Sequence, residues 1–234
     1  MNLNKIFLKY CTNNKFEIND NQLDVIEDLK NYHKNNFNQS LLSKFFKKKD
    51  IKLGFYLVGD VGVGKTMILN FFFDQVNENK LRLHFNEFMI EFHNFIFKNK
   101  DKGNRINLFV DSLSKKAKLI YFDEFQVTNI VDAMILGKLF KKIFEKRIKV
   151  IFSSNIKIKD LYKDGLQRDQ FIPFIRVLEK NSDEKELLIE EDYRSNNKNK
   201  LERFLSPKDQ SINFRFNKYF RQITKNKKKT LKIL

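Results

Sequence analysis

The sequence holds a single cysteine, Cys11, and three histidines in 234 residues. One thiol excludes an intramolecular disulfide framework and suits a reducing compartment. With no cysteine or further histidine to join them, His84 and His93 fall short of the ligand set a metal centre needs. Packing in the core or at an interface is the role expected of both. No stretch approaches the ~18 consecutive apolar residues that cross a bilayer. The start, Met1 to Cys11, carries only a short apolar stretch interrupted by Lys9. It does not read as a secretory leader, and a mitochondrial transit peptide would be richer in Arg and Ser.

Glycine is scarce too. Of seven in the chain, four fall between positions 54 and 64, so the sequence spends glycine where other residues do not fit. There the apolar run Gly54-Phe55-Tyr56-Leu57-Val58 leads into Gly59-Asp60-Val61-Gly62-Val63-Gly64-Lys65-Thr66. In a G-x-x-x-x-G-K-T loop, backbone N–H groups wrap a β-phosphate, the Lys reaches the β- and γ-phosphates, and the Thr hydroxyl coordinates Mg²⁺. Glycine permits the positive φ angles and close approach that such a nest requires. The following residues can continue as a helix whose N-terminus faces the phosphates. The chain therefore binds a nucleoside triphosphate, and the expected ligands are ATP and Mg²⁺.

Two further segments bear on the chemistry. Lys118-Leu119-Ile120-Tyr121-Phe122-Asp123-Glu124 is an apolar run ending in two acids. Asp123, at the tip of a buried strand, would hold Mg²⁺ through its water shell. Glu124 would orient and activate the attacking water, which marks a hydrolase rather than a kinase. Lys149-Val150-Ile151-Phe152-Ser153-Ser154-Asn155 is a second buried-strand pattern with a polar end. Asn155 there could contact the γ-phosphate or its water, although Ser-Asn after a strand also serves as a helix cap.

Longer motifs carry a resemblance. Tyr121-Phe122-Asp123-Glu124-Phe125-Gln126-Val127-Thr128 with the residues up to Leu136 is similar to the extended Walker B signature of the ZapE/AFG-type AAA+ ATPases. So are Arg82-Leu83-His84-Phe85-Asn86-Glu87-Phe88-Met89 with His93, Asp160 to Arg168, Phe171 to Ile175, and Asp192-Tyr193-Arg194. The family usually has a second His where Asn86 stands and an acid where Asn129 stands. Family members also continue well past the Asp-Tyr-Arg motif, whereas this sequence ends at Leu231-Lys232-Ile233-Leu234. Part of the lid over the nucleotide, with any arginine it supplies, is thus expected to be missing. The resemblance implies that Asn155 senses the γ-phosphate and that Arg168 completes the site of a neighbouring subunit in a homo-oligomer. The alternative for Arg168 is a surface pairing with Asp164 or Asp169. Arg194 matches the motif and is expected to pair with the acids at 190–192.

The net charge of +17 raises the question of nucleic acid. From Arg194 to Leu234 there are thirteen basic and two acidic residues, giving +11, so the remainder carries only +6. Such a tail could hold DNA, RNA or an anionic membrane surface. The joint abundance of Lys, Asn, Ile and Phe is better explained by A+T-rich coding sequence, and nucleic-acid binding is not favoured.

Periodicity gives the organisation. Strands are expected at about 55–58, 81–85, 118–122, 149–153 and 187–190, and helices at about 19–33, 65–78, 86–98, 130–145 and 169–180. Residues 99–106 read as a loop, and the many phenylalanines, such as Phe71 to Phe73 with Phe92 and Phe95, as core. No internal repeat is visible. The expected fold is an α/β P-loop NTPase of AAA+ type, its central parallel sheet flanked by helices. A helical lead-in (1–50) precedes the core (51–194), and a basic segment forming a partial lid (195–234) follows. The function implied is Mg²⁺-dependent ATP hydrolysis coupled to remodelling of a protein partner, in bacterial cell division or membrane-protein quality control. A bacterial cytoplasmic location is favoured over the mitochondrial matrix. The competing classes are a replication-type loader acting on single-stranded DNA and a nucleotide-binding adaptor without turnover.

Overall fold

Strands that are apolar on both faces, alternating with amphipathic helices, are buried together only in a parallel sheet covered on its two sides. The structure, a computed structural model, describes residues 3–37, 51–128, 130–163 and 165–188, all within the compact unit Met1–Glu190. The Asp192-Tyr193-Arg194 motif, the basic segment 195–234, Asn129 and Asp164 lie outside the described residues. Strands β1 (Gly54–Val58), β2 (Lys80–His84), β3 (Leu119–Asp123), β4 (Lys149–Ser154) and β5 (Ser182–Glu186) form one sheet in the order β2-β3-β4-β1-β5. Every pairing in it is parallel.

The period of two along each strand divides the core. Tyr56, Val58, Ile120, Phe122, Val150 and Phe152 pack against α4 (Phe85–Lys98), α5 (Arg105–Lys116), α6 (Ile130–Glu145) and α7 (Ile172–Asn181). Phe55, Leu57, Leu119, Tyr121 and Ile151 pack against α1 (Leu3–Asn14), α2 (Asp20–Asn36) and α3 (Lys65–Gln75). Phenylalanine dominates the first side: Phe122 and Phe152 stack at 5.7 Å, and Phe125 meets Phe152 edge-on at 4.9 Å and Phe85 at 4.6 Å. Phe71, Phe72 and Phe92 are buried, as expected. Among the described residues no helix is long and apolar enough to cross a membrane.

The elements differ from the sequence expectation in physically intelligible ways. Helix α1 falls in the expected helical lead-in, though its bounds were not anticipated; Leu3, Phe7 and Cys11 recur every fourth residue and are all buried. Helix α5 lacked a start signal because Asn104 precedes it in the left-handed conformation without a side-chain cap; Phe109, Val110 and Leu113 secure it by packing. Helix α3 stops at Gln75 because Val76 turns extended. Residues 168–170 form a 3₁₀ turn, and α7 begins only at Ile172 with Pro173 in its first turn, where a missing N–H costs nothing. Strand β5 falls at 182–186 rather than 187–190. Ser182-Asp183-Glu184-Lys185-Glu186 reads as a polar loop, but an edge strand needs only its backbone to pair with β1.

Gly54 in β1 is squeezed against β5: a Cβ there would overlap the Ser182 side chain and lie 3.1 Å from the Ser182 Cα. Overpacking of this kind costs about 1–3 kcal/mol. Gly54→Ala is expected to lower unfolding stability by that amount in urea titration with an unchanged m-value, and full parental stability would contradict the close β1–β5 contact.

Candidate functional site

The loop between β1 and α3 is shaped by two left-handed residues that only glycine adopts without strain, Gly62 at φ 96° and Gly64 at φ 95°. Its first residue is tied to the tip of β4 by Gly59 N–H to Ser154 O at 3.2 Å. Glycine is also required there sterically, since a Cβ would lie 2.5 Å from the Leu187 carbonyl oxygen. Asp60 and Val61 form the exposed crown, and Val63 is buried beneath it. Lys65 opens α3 and is only 8% exposed. Its Nζ donates to Gly59 O at 2.8 Å, Asp60 O at 2.7 Å and Asn155 Oδ1 at 2.8 Å. Burial pushes its ammonium below the ordinary lysine value, with the Asp60 and Asp123 charges opposing.

Asp123 ends β3 as the most heavily hydrogen-bonded carboxylate in the site. Its Oδ1 accepts from Ser153 Oγ at 2.7 Å, Tyr121 OH at 3.1 Å and Thr66 Oγ1 at 3.3 Å. Its Oδ2 accepts from Arg82 Nη2 at 2.6 Å. Burial alone would raise this carboxyl, but the bonds from Ser153, Arg82 and Tyr121 and the Arg82 charge leave it below its ordinary value, hence ionised. Burial and the adjacent Asp123 charge raise Tyr121, which stays a protonated donor. Glu124 turns outward with φ 52° and is exposed. Its N–H donates to Ser153 Oγ at 3.1 Å, so one hydroxyl positions both acids. Phe125 N–H donates to Ser153 O at 2.7 Å, and Ser154 Oγ donates to Phe125 O at 2.8 Å. The tip of β4 thereby clamps the turn after β3.

Lys65 with Asn155 and Thr66 with Asp123 thus form two bonded pairs that cluster at the strand tips, with Glu124 next to Asp123. Arg168 is not part of that cluster: its Nη2 donates to Lys159 O at 2.7 Å from the 3₁₀ turn. His84 and His93 are exposed, which corrects the core half of their expected role. His84 caps α4 opposite Glu87, and His93 meets Asp132 at 2.6 Å. Sequence reasoning missed Arg82, Tyr121 and Ser153 as site residues. Arg82 stands in register with Tyr121 across the β2–β3 ladder and lies 5.2 Å over its ring. No local pattern announces such a cross-strand relation.

The residues fit the expected ligands. The loop glycines offer a concave run of backbone, with a buried ammonium and a helix N-terminus beside it, as phosphates require. Thr66 and Asp123 supply the hard oxygen donors that suit Mg²⁺. Among the described residues no group of three His, Cys, Asp or Glu side chains could hold a metal unaided, so the ion would be shared with phosphate oxygens. Because Ser153 supports Asp123 and Glu124 together, Ser153→Ala is expected to lower kcat for ATP by about 10–100-fold, the scale of outer-shell changes at metal sites, while ATP affinity without Mg²⁺ stays constant. An unchanged kcat would remove the clamp from the mechanism.

Comparison with known proteins gives the family and the fold. The family model described as AFG1-like ATPase matches residues 6–234. The chain is 41% identical over 137 residues to lactation elevated protein 1 homolog B of Danio rerio, covering 53% of this chain and 27% of that protein. It is 34% identical over 155 residues to the cell division protein ZapE of Escherichia coli K12, covering 66% of this chain and 41% of that one. The match therefore spans less than half the length of either relative. The crystal structure of DnaI shares the fold, with a TM-score of 0.50 at 17% identity over 74% of this chain and 85% of that one. The chain belongs to the AFG1-like ATPase family and has that family's P-loop NTPase core.

Proposed function

We propose that this chain binds ATP with Mg²⁺ on the 59–66 loop and hydrolyses it to remodel a protein partner. What supports the reading is the meeting at the strand tips of two bonded pairs, Lys65 with Asn155 and Thr66 with Asp123, on consecutive residues of the loop and helix α3. Without nucleotide the Lys65 ammonium is held by two loop carbonyls and by Asn155. Phosphate oxygens are stronger, charged acceptors, so Lys65 transfers to the β- and γ-phosphates and releases Asn155 Oδ1. Asn155 then bonds the γ-phosphate or the attacking water. Thr66 and Asp123 would hold Mg²⁺, which would neutralise charge on the phosphate oxygens. Glu124, exposed beside the cluster, takes the proton of the water. The relative ZapE is by name a cell division protein, which supports a client in the bacterial division machinery and a cytoplasmic site of action.

Arg168 acts from a neighbouring subunit. It is bonded to a backbone carbonyl in a surface turn and stands apart from its own chain's cluster, so its guanidinium suits a site across a subunit boundary. Its contribution is on the scale of arginine fingers, roughly 10³–10⁵ in rate.

Two measurements test the proposal. Glu124→Gln is expected to retain Mg²⁺-ATP affinity in titration calorimetry while losing hydrolysis, and Lys65→Ala to lose the affinity itself. Turnover at the parental rate in Glu124→Gln would remove that residue as the base, and unchanged affinity in Lys65→Ala would overturn the loop assignment. For assembly, specific activity is expected to rise with protein concentration and to fall in Arg168→Ala, with partial recovery when that variant is mixed with Glu124→Gln. Activity independent of concentration, from a monomer, would exclude a role in trans.

A further inference from the structure

One polar side chain beside the loop has half of its chemistry unused. Gln22 lies in the first turn of α2 and is 3% exposed. Its Nε2 donates to Val63 O at 3.2 Å, whereas its Oε1 is buried without a hydrogen-bond partner among the described residues. The amide cannot simply turn over, because Oε1 would then face the Val63 carbonyl, acceptor against acceptor. It is also pressed against the loop: a Cβ on Gly64 would come 3.0 Å from Gln22 Nε2 and 3.5 Å from Met67 Cε. Gln22 thus presents a lone acceptor of fixed orientation next to the loop and the first turn of α3.

The sheet order indicates which end of a triphosphate lies there. Asp123 and Asn155, at the tips of β3 and β4, mark the γ-phosphate and metal end of the loop, on one side of β1. The base must lie towards the other side, where β5 stands. That is where the start of α2 is anchored, by Asn21 Nδ2 donating to Leu188 O at 2.6 Å just beyond β5 and by Gln22 on Val63. The half-buried Met67, whose Cε lies beside Gly64 as Gln22 does, is unbranched and easily repacked.

Resting on the nucleotide-binding reading above, we propose that Gln22 reads the base: its Oε1 accepts a hydrogen bond from the exocyclic amine of adenine. Guanine carries an oxygen at that position, and the Val63 carbonyl holds the Gln22 amide in the orientation that repels it. The residue is a specificity determinant that also braces the loop through its Nε2.

The probe is purine riboside triphosphate, which equals ATP without the exocyclic amine. Calorimetry on the wild-type chain is expected to give about tenfold weaker binding for this analogue than for ATP, the scale of one hydrogen bond that leaves a buried partner unmet when lost, and weaker binding still for GTP. Gln22→Leu is expected to abolish the roughly tenfold preference for ATP over the analogue, whatever loss the two ligands share from the missing Nε2 brace on Val63. Equal wild-type affinity for ATP and the analogue would overturn the proposal without any variant. So would a Gln22→Leu variant that weakens both ligands alike, since the residue would then serve the loop alone. A wild-type chain that binds none of the three would instead overturn the nucleotide site itself.

Discussion

The parallel register of β3, β4 and β1 is the constraint from which the site follows. Phe122 pairs with Phe152, and Leu57 and Val58 pair with Ser153 and Ser154. The carboxyl ends of three strands therefore reach one level at one edge of the sheet, where ligands of open α/β folds bind. In a sheet with period two, a slip of one residue would turn Asp123 and Ser153 to the wrong faces. The phenylalanine packing around Phe122, Phe125, Phe140 and Phe152 resists such a slip, because each ring is buried among the others. Core packing thus acts on function through register.

Charge is balanced locally before any ligand arrives. Asp123 sits between Arg82, the Ser153 and Tyr121 hydroxyls and Thr66, while the Lys65 ammonium is satisfied by carbonyls and Asn155. Buried ions left unpaired would be costly, and here each has a temporary partner that a phosphate or a divalent cation can replace. Nucleotide binding then amounts to an exchange of partners, with the strand tips already in place. Arg82 is the informative member, since its guanidinium is half exposed while the carboxylate it bonds is buried.

The features legible in the sequence are those written over a few consecutive residues. The loop 59–66 was readable because glycine placement and the Lys-Thr pair are local requirements, and the strand ends at Asp123 and Asn155 because apolar runs stop at polar residues. Four of the five strands lie within a residue or so of their expected places for the same reason. Arg82, Ser153 and Gln22 were opaque as site residues because their relevance depends on which strands and helices become neighbours. Gln22 and Val63, for instance, are 41 residues apart. Strand β5 was misplaced because its partner is backbone, so its charged side chains carried no signal of pairing.

The turn after β3 shows how the fold sets a reactive geometry rather than merely permitting it. A left-handed glutamate is unfavourable, and such backbone conformations persist only where the surroundings over-determine them. At Glu124 the surroundings do so on both sides. Asp123 is held by four donors, and Phe125 is fixed by backbone bonds to β4 and by rings from Phe85 and Phe152. Between these two pinned neighbours Glu124 takes the left-handed conformation and its side chain is exposed. Two adjacent acids in a regular strand would also project to opposite faces, but one would then be buried in the core. The left-handed turn keeps Glu124 exposed at the strand tip, where it can meet water, and the aromatic core supplies the packing energy that sustains it.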